Sequence, residues 1–161
     1  MVFFDLYVKV EGENIESADL IAADYLWIFT VECAGCGNKW EAQFTNSDQI
    51  ESEKGRSFSN WAKKCQDCTR VLNISYHKDS KLKIDISKKT PSLFATFDFR
   101  NCSPIDSSFK PTSGYKVTST EGSVFTDCEL NDEFCEFCDK LKETCLITKV
   151  ESKFERNKSL Q

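Results

Sequence analysis

Apolar and polar residues alternate with a period of two along much of this chain. From Phe4 to Val10, the residues Phe4, Leu6, Val8 and Val10 fall on one side, and Asp5, Tyr7 and Lys9 on the other. Successive side chains of a strand point to opposite faces, so this stretch predicts a half-buried strand. The pattern recurs at 24–32, where Tyr25, Trp27, Phe29 and Val31 share a face, and strands are also predicted at 39–44, 70–77 and 81–86. It returns at 93–100 through Ala95, Phe97 and Phe99, and further strands are predicted at 115–119, 124–130 and 146–154. Between them, Glu11–Asn14 is a predicted turn, 15–20 irregular, 45–60 an exposed polar loop, and 87–91 a linker or long turn. Residues 101–114 are irregular around Pro104 and Pro111. The acidic run 131–142 is assigned a short helix, and the tail from Glu155 is expected to fray.

Many short strands without long helices predict an all-β protein. The order of elements also repeats. Val8–Leu20 and Phe97–Phe109 share a strand–turn–apolar pattern, and Trp40–Ser47 is echoed by Phe125–Asp132. The expected organisation is therefore two similar β subdomains, residues 1–89 and 90–161.

The chemistry concentrates in cysteine. Cys33 and Cys36 form one Cys-x-x-Cys pair, followed by Gly37, and Cys65 and Cys68 form a second after 28 intervening residues (37–64). Two such pairs can place four thiolates around one Zn²⁺ at about 2.3 Å each. The flanking strands, 24–32 and 39–44, give the strand–cysteine turn–strand order of a zinc ribbon. Disulfides are the first rival. Nine cysteines cannot all pair within one chain, and the N-terminus lacks the basic and apolar regions of an export signal. A thioredoxin-like redox pair is the second, but that motif opens a helix, and no helical pattern follows Cys36. Burial as ordinary core residues is the third, and two identical spacings argue against it. Four protein ligands close the coordination shell, so the predicted zinc is structural and single. His77, the one histidine, is assigned to a half-exposed strand position rather than to the metal.

A second pair, Cys135 and Cys138, has Cys128 and Cys145 nearby. No partner pair lies after 115–119, where counterparts of Cys33 and Cys36 would fall. Glu133, Glu136 and Asp139 would raise thiol pKa values, so no second metal is assigned.

Composition narrows the function. The 161 residues are 40% hydrophobic with 13 Phe, enough for a packed core. No run near 18 apolar residues is present, so no transmembrane helix is predicted. Cysteine content without an export signal points to the cytoplasm or nucleus. Net charge is −5, which opposes generic binding to phosphates. Lys63, Lys64 and Arg70 flank the second cysteine pair, where they would offset the −2 of a Zn(Cys)₄ centre.

The chain resembles the eukaryotic CXXC-motif-containing zinc-binding proteins. The likeness rests on Tyr25-Leu-Trp27 before Cys33-x-x-Cys36-Gly37, on Trp40, and on Gly55-Arg56-Ser57 leading to Lys64-Cys65-x-x-Cys68. Later it includes Pro104-Ile-Asp106 and Gly122-Ser-Val-Phe-Thr-Asp127. Ser57 stands where the family has Gly, and the Cys135–Cys138 pair is outside the family pattern. The resemblance implies one zinc on Cys33, Cys36, Cys65 and Cys68, two similar antiparallel β-sandwich-like halves, with residues 1–89 the N-terminal zinc-binding β subdomain and 90–161 the C-terminal β subdomain without metal, and no established catalytic activity.

The function expected is that of a non-enzymatic protein with a structural zinc, acting by binding another protein and not a membrane. Candidate contact surfaces are the loop 45–60 and the acidic stretch 131–143. Two alternatives stand beside it. One is a nucleic-acid-binding ribbon using Trp61, Lys63, Lys64 and Arg70. The other is a metal-transfer or redox-linked thiol protein using an exchangeable zinc or the extra thiols.

Overall fold

Period-two alternation becomes a set of antiparallel sheets. The computed structural model describes residues 2–52 and 55–160. Glu53 and Lys54 of the predicted exposed loop, and Gln161 of the tail, lie outside the described residues. The strands in chain order are β1 (Val2–Glu13), β2 (Ile15–Leu20), β3 (Leu26–Cys33), β4 (Lys39–Thr45), β5 (Ile50–Glu51), β6 (Phe58–Ser59), β7 (Trp61–Lys64) and β8 (Val71–Tyr76). They continue as β9 (Lys83–Asp85), β10 (Ser92–Arg100), β11 (Cys102–Pro104), β12 (Tyr115–Ser119), β13 (Val124–Cys128), β14 (Cys135–Cys138) and β15 (Glu143–Arg156). The described residues hold no α-helix, only a 3-10 turn at Lys158–Leu160. None of their helices is long and apolar enough to cross a membrane.

Six strands run in the order β14-β15-β1-β10-β8-β7, three in the order β11-β3-β4, and four in the order β13-β12-β2-β9. Exchanging β1, β2, β3, β4, β7 and β8 with β10, β11, β12, β13, β14 and β15 reverses the six-stranded order and turns β11-β3-β4 into β2-β12-β13. The topology thus has an internal two-fold relation passing between β1 and β10. Each half also lends a strand to the other: β11 pairs with β3, and β2 with β12. The ladders β1·β10, β11·β3 and β12·β2 all cross residue 90.

The core is aromatic where the three-stranded sheet meets the six-stranded one. Trp27 on β3 is fully buried, with ring centroids 5.0 Å from Phe97 and 5.7 Å from Tyr76. Phe29 packs edge-on against Phe44, Phe97 and Phe154. Fully burying each such ring contributes roughly 1.5–3 kcal/mol relative to leaving it exposed. The Trp27 indole N–H donates to Asn46 Oδ1, so the ring is buried without an orphaned donor. Leu6, Val8 and Val10, and Tyr25, Trp27, Phe29 and Val31, are all buried, as their alternation predicts.

Several local expectations are corrected. The stretch 15–20 is strand β2, whose register against β12 slips between Thr118 and Ser119; the extra residue breaks the period-two pattern. Glu11–Glu13 continue β1 past a bulge at Glu11/Gly12, and the chain reverses at Asn14, where φ is 62°. Within 101–114, β11 pairs with β3. Within 45–60, β5 and β6 form a short ladder. The helix assigned to 131–142 is absent: Cys135–Cys138 is β14, paired with Glu143–Leu146. Its side chains are exposed except Cys138, which leaves no apolar alternation to read. Of the tail, Glu155 and Arg156 belong to β15. Asn157 N–H donates to Phe3 C=O, and its side-chain amide reaches both oxygens of the buried Asp5.

Candidate metal centre

Two β-hairpins, β3–β4 and β7–β8, each carry one cysteine pair at the tip. The backbones of the two tips are near copies. Cys33 N–H donates to Asn38 C=O, and Cys65 N–H to Arg70 C=O, each at 2.8 Å. Gly37 N–H returns to Cys33 C=O, and Thr69 N–H to Cys65 C=O, each at 2.9 Å. The turn requires a left-handed residue at the fourth position after the first cysteine. Glycine meets that in the first tip, with φ 77° at Gly37. Thr69 accepts φ 62° in the second, at a steric cost. Gly35 is closely packed for a different reason: a Cβ there would lie 3.0 Å from the Arg70 side chain and 3.1 Å from Cys68 Sγ, which would have to give by a few tenths of an ångström.

The tips face each other. Cys33 Sγ is 3.4 Å from Cys68 Sγ, and Cys36 Sγ 3.4 Å from Cys65 Sγ; all four sulfurs lie within 4.8 Å of one another. A regular tetrahedron with metal–sulfur bonds of about 2.3 Å has sulfur–sulfur edges of about 3.8 Å. The four thiols therefore fit one tetrahedral ion with little adjustment. Cys33 and Cys65 are buried, Cys68 is half-buried and Cys36 is exposed.

The electrostatics favour a cation. The N–H of Cys68, then that of Asp67, hold the Cys65 thiol down to about 6 despite burial. Cys33 is lowered in the same way by the N–H groups of Cys36 and Gly35. The second thiol of each pair behaves oppositely. Cys36 accepts from Asn38 N–H, yet its contacts with Cys65 and Cys33, together with burial, push it up to about 12. Cys68 accepts from Arg70 N–H and is still raised, chiefly by Cys33. The backbone amides thus favour the thiolate at the first cysteine of each pair, while the sulfur contacts disfavour it at the second. A divalent ion removes that penalty.

Polar groups brace the tips. The Asn38 side-chain amide donates to Asp67 across the two hairpins. The Lys63 ammonium sits 4.4 Å from the Trp40 ring centroid, a cation–π contact beside the site. Cys102 on β11 lies opposite Cys33 in the ladder. Neither Cys102 nor the Asn38–Asp67 bridge was legible in the sequence, because both depend on pairings between segments distant in the chain. His77 follows β8, stacks edge-on with Phe3 and accepts from Asp79 N–H.

The related hairpin β14–β15 shows what the second half kept. Cys138 occupies the position of Cys65: its Sγ accepts from the N–H groups of Leu141 and Lys140, as Cys65 does from Cys68 and Asp67. Lys142, with φ 53°, matches Thr69. Leu141 stands where Cys68 would be, and Ser119, at the end of β12, stands where Cys33 ends β3. Contrary to the effect expected of the acidic neighbours, the Cys138 thiol is lowered, first by Ser123 Oγ at 3.3 Å. Cys128 is raised, by burial first and then by Glu136 and Asp127.

Residues 5–155 match the eukaryotic family of CXXC motif containing zinc binding proteins. The chain belongs to this family. Among curated proteins none matches. Two solved structures share the fold. The crystal structure of C1orf123 superposes with a TM-score of 0.83 at 21% identity, covering 96% of this chain and 99% of that one. A hypothetical protein from Plasmodium falciparum superposes with a TM-score of 0.78 at 23% identity, covering 96% and 100%. At these identities the likeness concerns fold. The family is described by a CXXC motif and zinc binding, and the four cysteines of this chain's two clustered CXXC motifs could hold a metal ion.

Proposed function

We propose that Cys33, Cys36, Cys65 and Cys68 hold one zinc ion as a structural staple, and that the protein acts without catalysis by binding another protein. The observation that carries the metal reading is the matched pair of hairpin tips, which converge four sulfurs on one point. Four protein thiolates fill a tetrahedral shell and leave no position for a reactive water, which supports a structural ion. The staple joins β3–β4 to β7–β8, two hairpins from different sheets. Metal binding is then coupled to closing the fold. When bound, zinc supplies charge neutralisation of the thiolates; the backbone amides of the tips orient them.

Elemental analysis of freshly isolated, reduced protein tests the metal, with one zinc per chain expected. Metal near zero with all four thiols free would overturn it. Slow removal by a chelator, accompanied by unfolding, is expected of a staple; fast exchange with the fold intact would favour metal transfer. In-cell crosslinking tests the partner class: a specific protein adduct is expected. Recovery of nucleic acid with salt-sensitive affinity would favour the alternative reading on Trp61, Lys63, Lys64 and Arg70.

A further inference from the structure

The two halves close their sheets differently, and the difference leaves an open seam. In the four-stranded sheet, β9 bonds directly to the outer edge of β2 through Ser17–Asp19 and Lys83–Asp85. In the related three-stranded sheet, the counterpart of β2 is β11 with the segment that follows it, which bonds to β3 through Ile105 N–H and Lys110 N–H. The outer edge of that segment faces the second half of β15. There, among the described residues, the two are joined by side-chain bonds and not by a backbone ladder: Asp106 Oδ1 accepts from Phe154 N–H, and Ser107 Oγ donates to Ser152 C=O.

Those two bonds also fix which backbone groups of β15 point outward. Phe154 and Ser152 face away from β1, so by alternation Val150 does too. β14 covers β15 only over Glu143–Leu146. Among the described residues, the N–H groups of Val150 and Ser152 and the C=O of Val150 have no partner. Beside this edge lies a groove of about 620 Å³ whose far wall includes Phe109, Pro111 and Leu130. Unpaired edge groups next to an apolar wall are what strand addition uses: main-chain bonds give affinity, and alternate side chains enter the pocket.

We propose that this seam receives a short extended segment of a partner protein, which adds as a strand along Val150–Ser152. The proposal rests on the protein-binding reading above and names the surface. The charged residues of the groove are Lys9, Lys149 and Lys153 with Asp132 and Glu151, and the three lysines are paired with Glu11, Glu151 and Glu155 in turn, so the groove offers no excess charge of either sign. The open main-chain groups of β15 and the Phe109, Pro111 and Leu130 wall therefore call for an extended segment with apolar residues at every second position and uncharged residues between them.

The test uses the full, zinc-loaded chain and a displayed library of random peptides. Ser152→Pro removes one outward N–H and leaves the β1 ladder intact, because proline is tolerated at a sheet edge. Selected peptides are expected to bind this variant at least about tenfold more weakly, the effect of losing one main-chain bond with its alignment. In the wild-type chain, they are expected to slow amide exchange at Val150 and Ser152, a readout that stands even where the variant fails to fold. Peptides that bind the variant equally and protect neither amide would sink the seam while leaving the protein-binding reading intact. A library that yields no binder would also sink it. Concentration-dependent protection of the same amides without peptide would make the occupant a second copy of this chain and overturn the proposal.

Discussion

The hydroxyls of Tyr25 and Tyr115 lie 2.7 Å apart in the core, joining the end of the three-stranded sheet to the four-stranded one. Tyr25 Oη also accepts from Thr112 N–H at 2.8 Å. Tyr25 thus satisfies two partners and Tyr115 one. Tyr25→Phe leaves a backbone N–H and a phenol unpaired, at about 1–3 kcal/mol for each group that stays dry. Tyr115→Phe leaves one phenol proton to redirect, at about half that cost. Urea unfolding of the two variants checks the ranking, and equal losses would contradict it.

The same pair predicts alkaline instability. Burial is the first cause raising both phenols, and Tyr115 is held well above 10. Unfolded tyrosine ionises near 10. Below that pH both states are protonated and the fold keeps its full stability. Above it the unfolded chain loses protons that the native chain retains, so stability falls as pH rises. Unfolding free energy is expected to decline above pH 10, and Tyr115→Phe should flatten the decline.

Asp5 and Asn157 clamp the C-terminus to the first strand. The buried carboxylate accepts from Thr96 Oγ1 at 2.7 Å and from the Asn157 amide at 3.1 Å on both oxygens. Asn157→Ala should speed amide exchange over the last turn of the chain and cost about 1–2 kcal/mol, since a hydrogen bond to a charged group is lost. Unchanged exchange at Asn157 and Ser159 would show the clamp to be idle.

Gly114 is where a side chain has no room. Its φ is 106°, and a Cβ would stand 2.6 Å from Ala22 Cβ, while its carbonyl accepts from the N–H groups of both Ile21 and Ala22. Gly114→Ala is expected to cost about 1–3 kcal/mol through backbone strain alone. A melting temperature within error of the parent would refute the argument.

The fold class was legible because burial follows alternation: Trp27, Phe29 and Val31 needed only the period to be placed in the core. β2 and β14 were not. A bulge hid the first, and the second buries only Cys138. The cysteine cluster was legible because ligand spacing is local within each hairpin tip. Its bracing was not, since Asn38, Asp67 and Cys102 meet only through long-range pairing. The echo between halves was visible in order but not in register. That is why Cys138 aligns with Cys65 in space, while the sequence matched only the surrounding region.

That alignment sets up the sharpest contrast. On the proposed zinc reading, Cys65→Ser removes one of four ligands from a closed shell, and a coupled zinc site contributes about 10–16 kcal/mol of binding energy in finger peptides. Even a fraction of it, about 3 kcal/mol, would lower the melting temperature by roughly 6–12 °C in a chain of this length. Zinc content should fall well below one per chain. Cys138 sits in the same turn geometry but meets Ser123 Oγ and the single thiol of Cys145 instead of a second sulfur pair, so Cys138→Ser exchanges one hydrogen-bonding group for another. It should keep its zinc and lose about 1 kcal/mol at most. Measuring zinc and melting side by side decides it: equal losses in the two variants would mean that both hairpin tips, and not the first pair alone, hold metal.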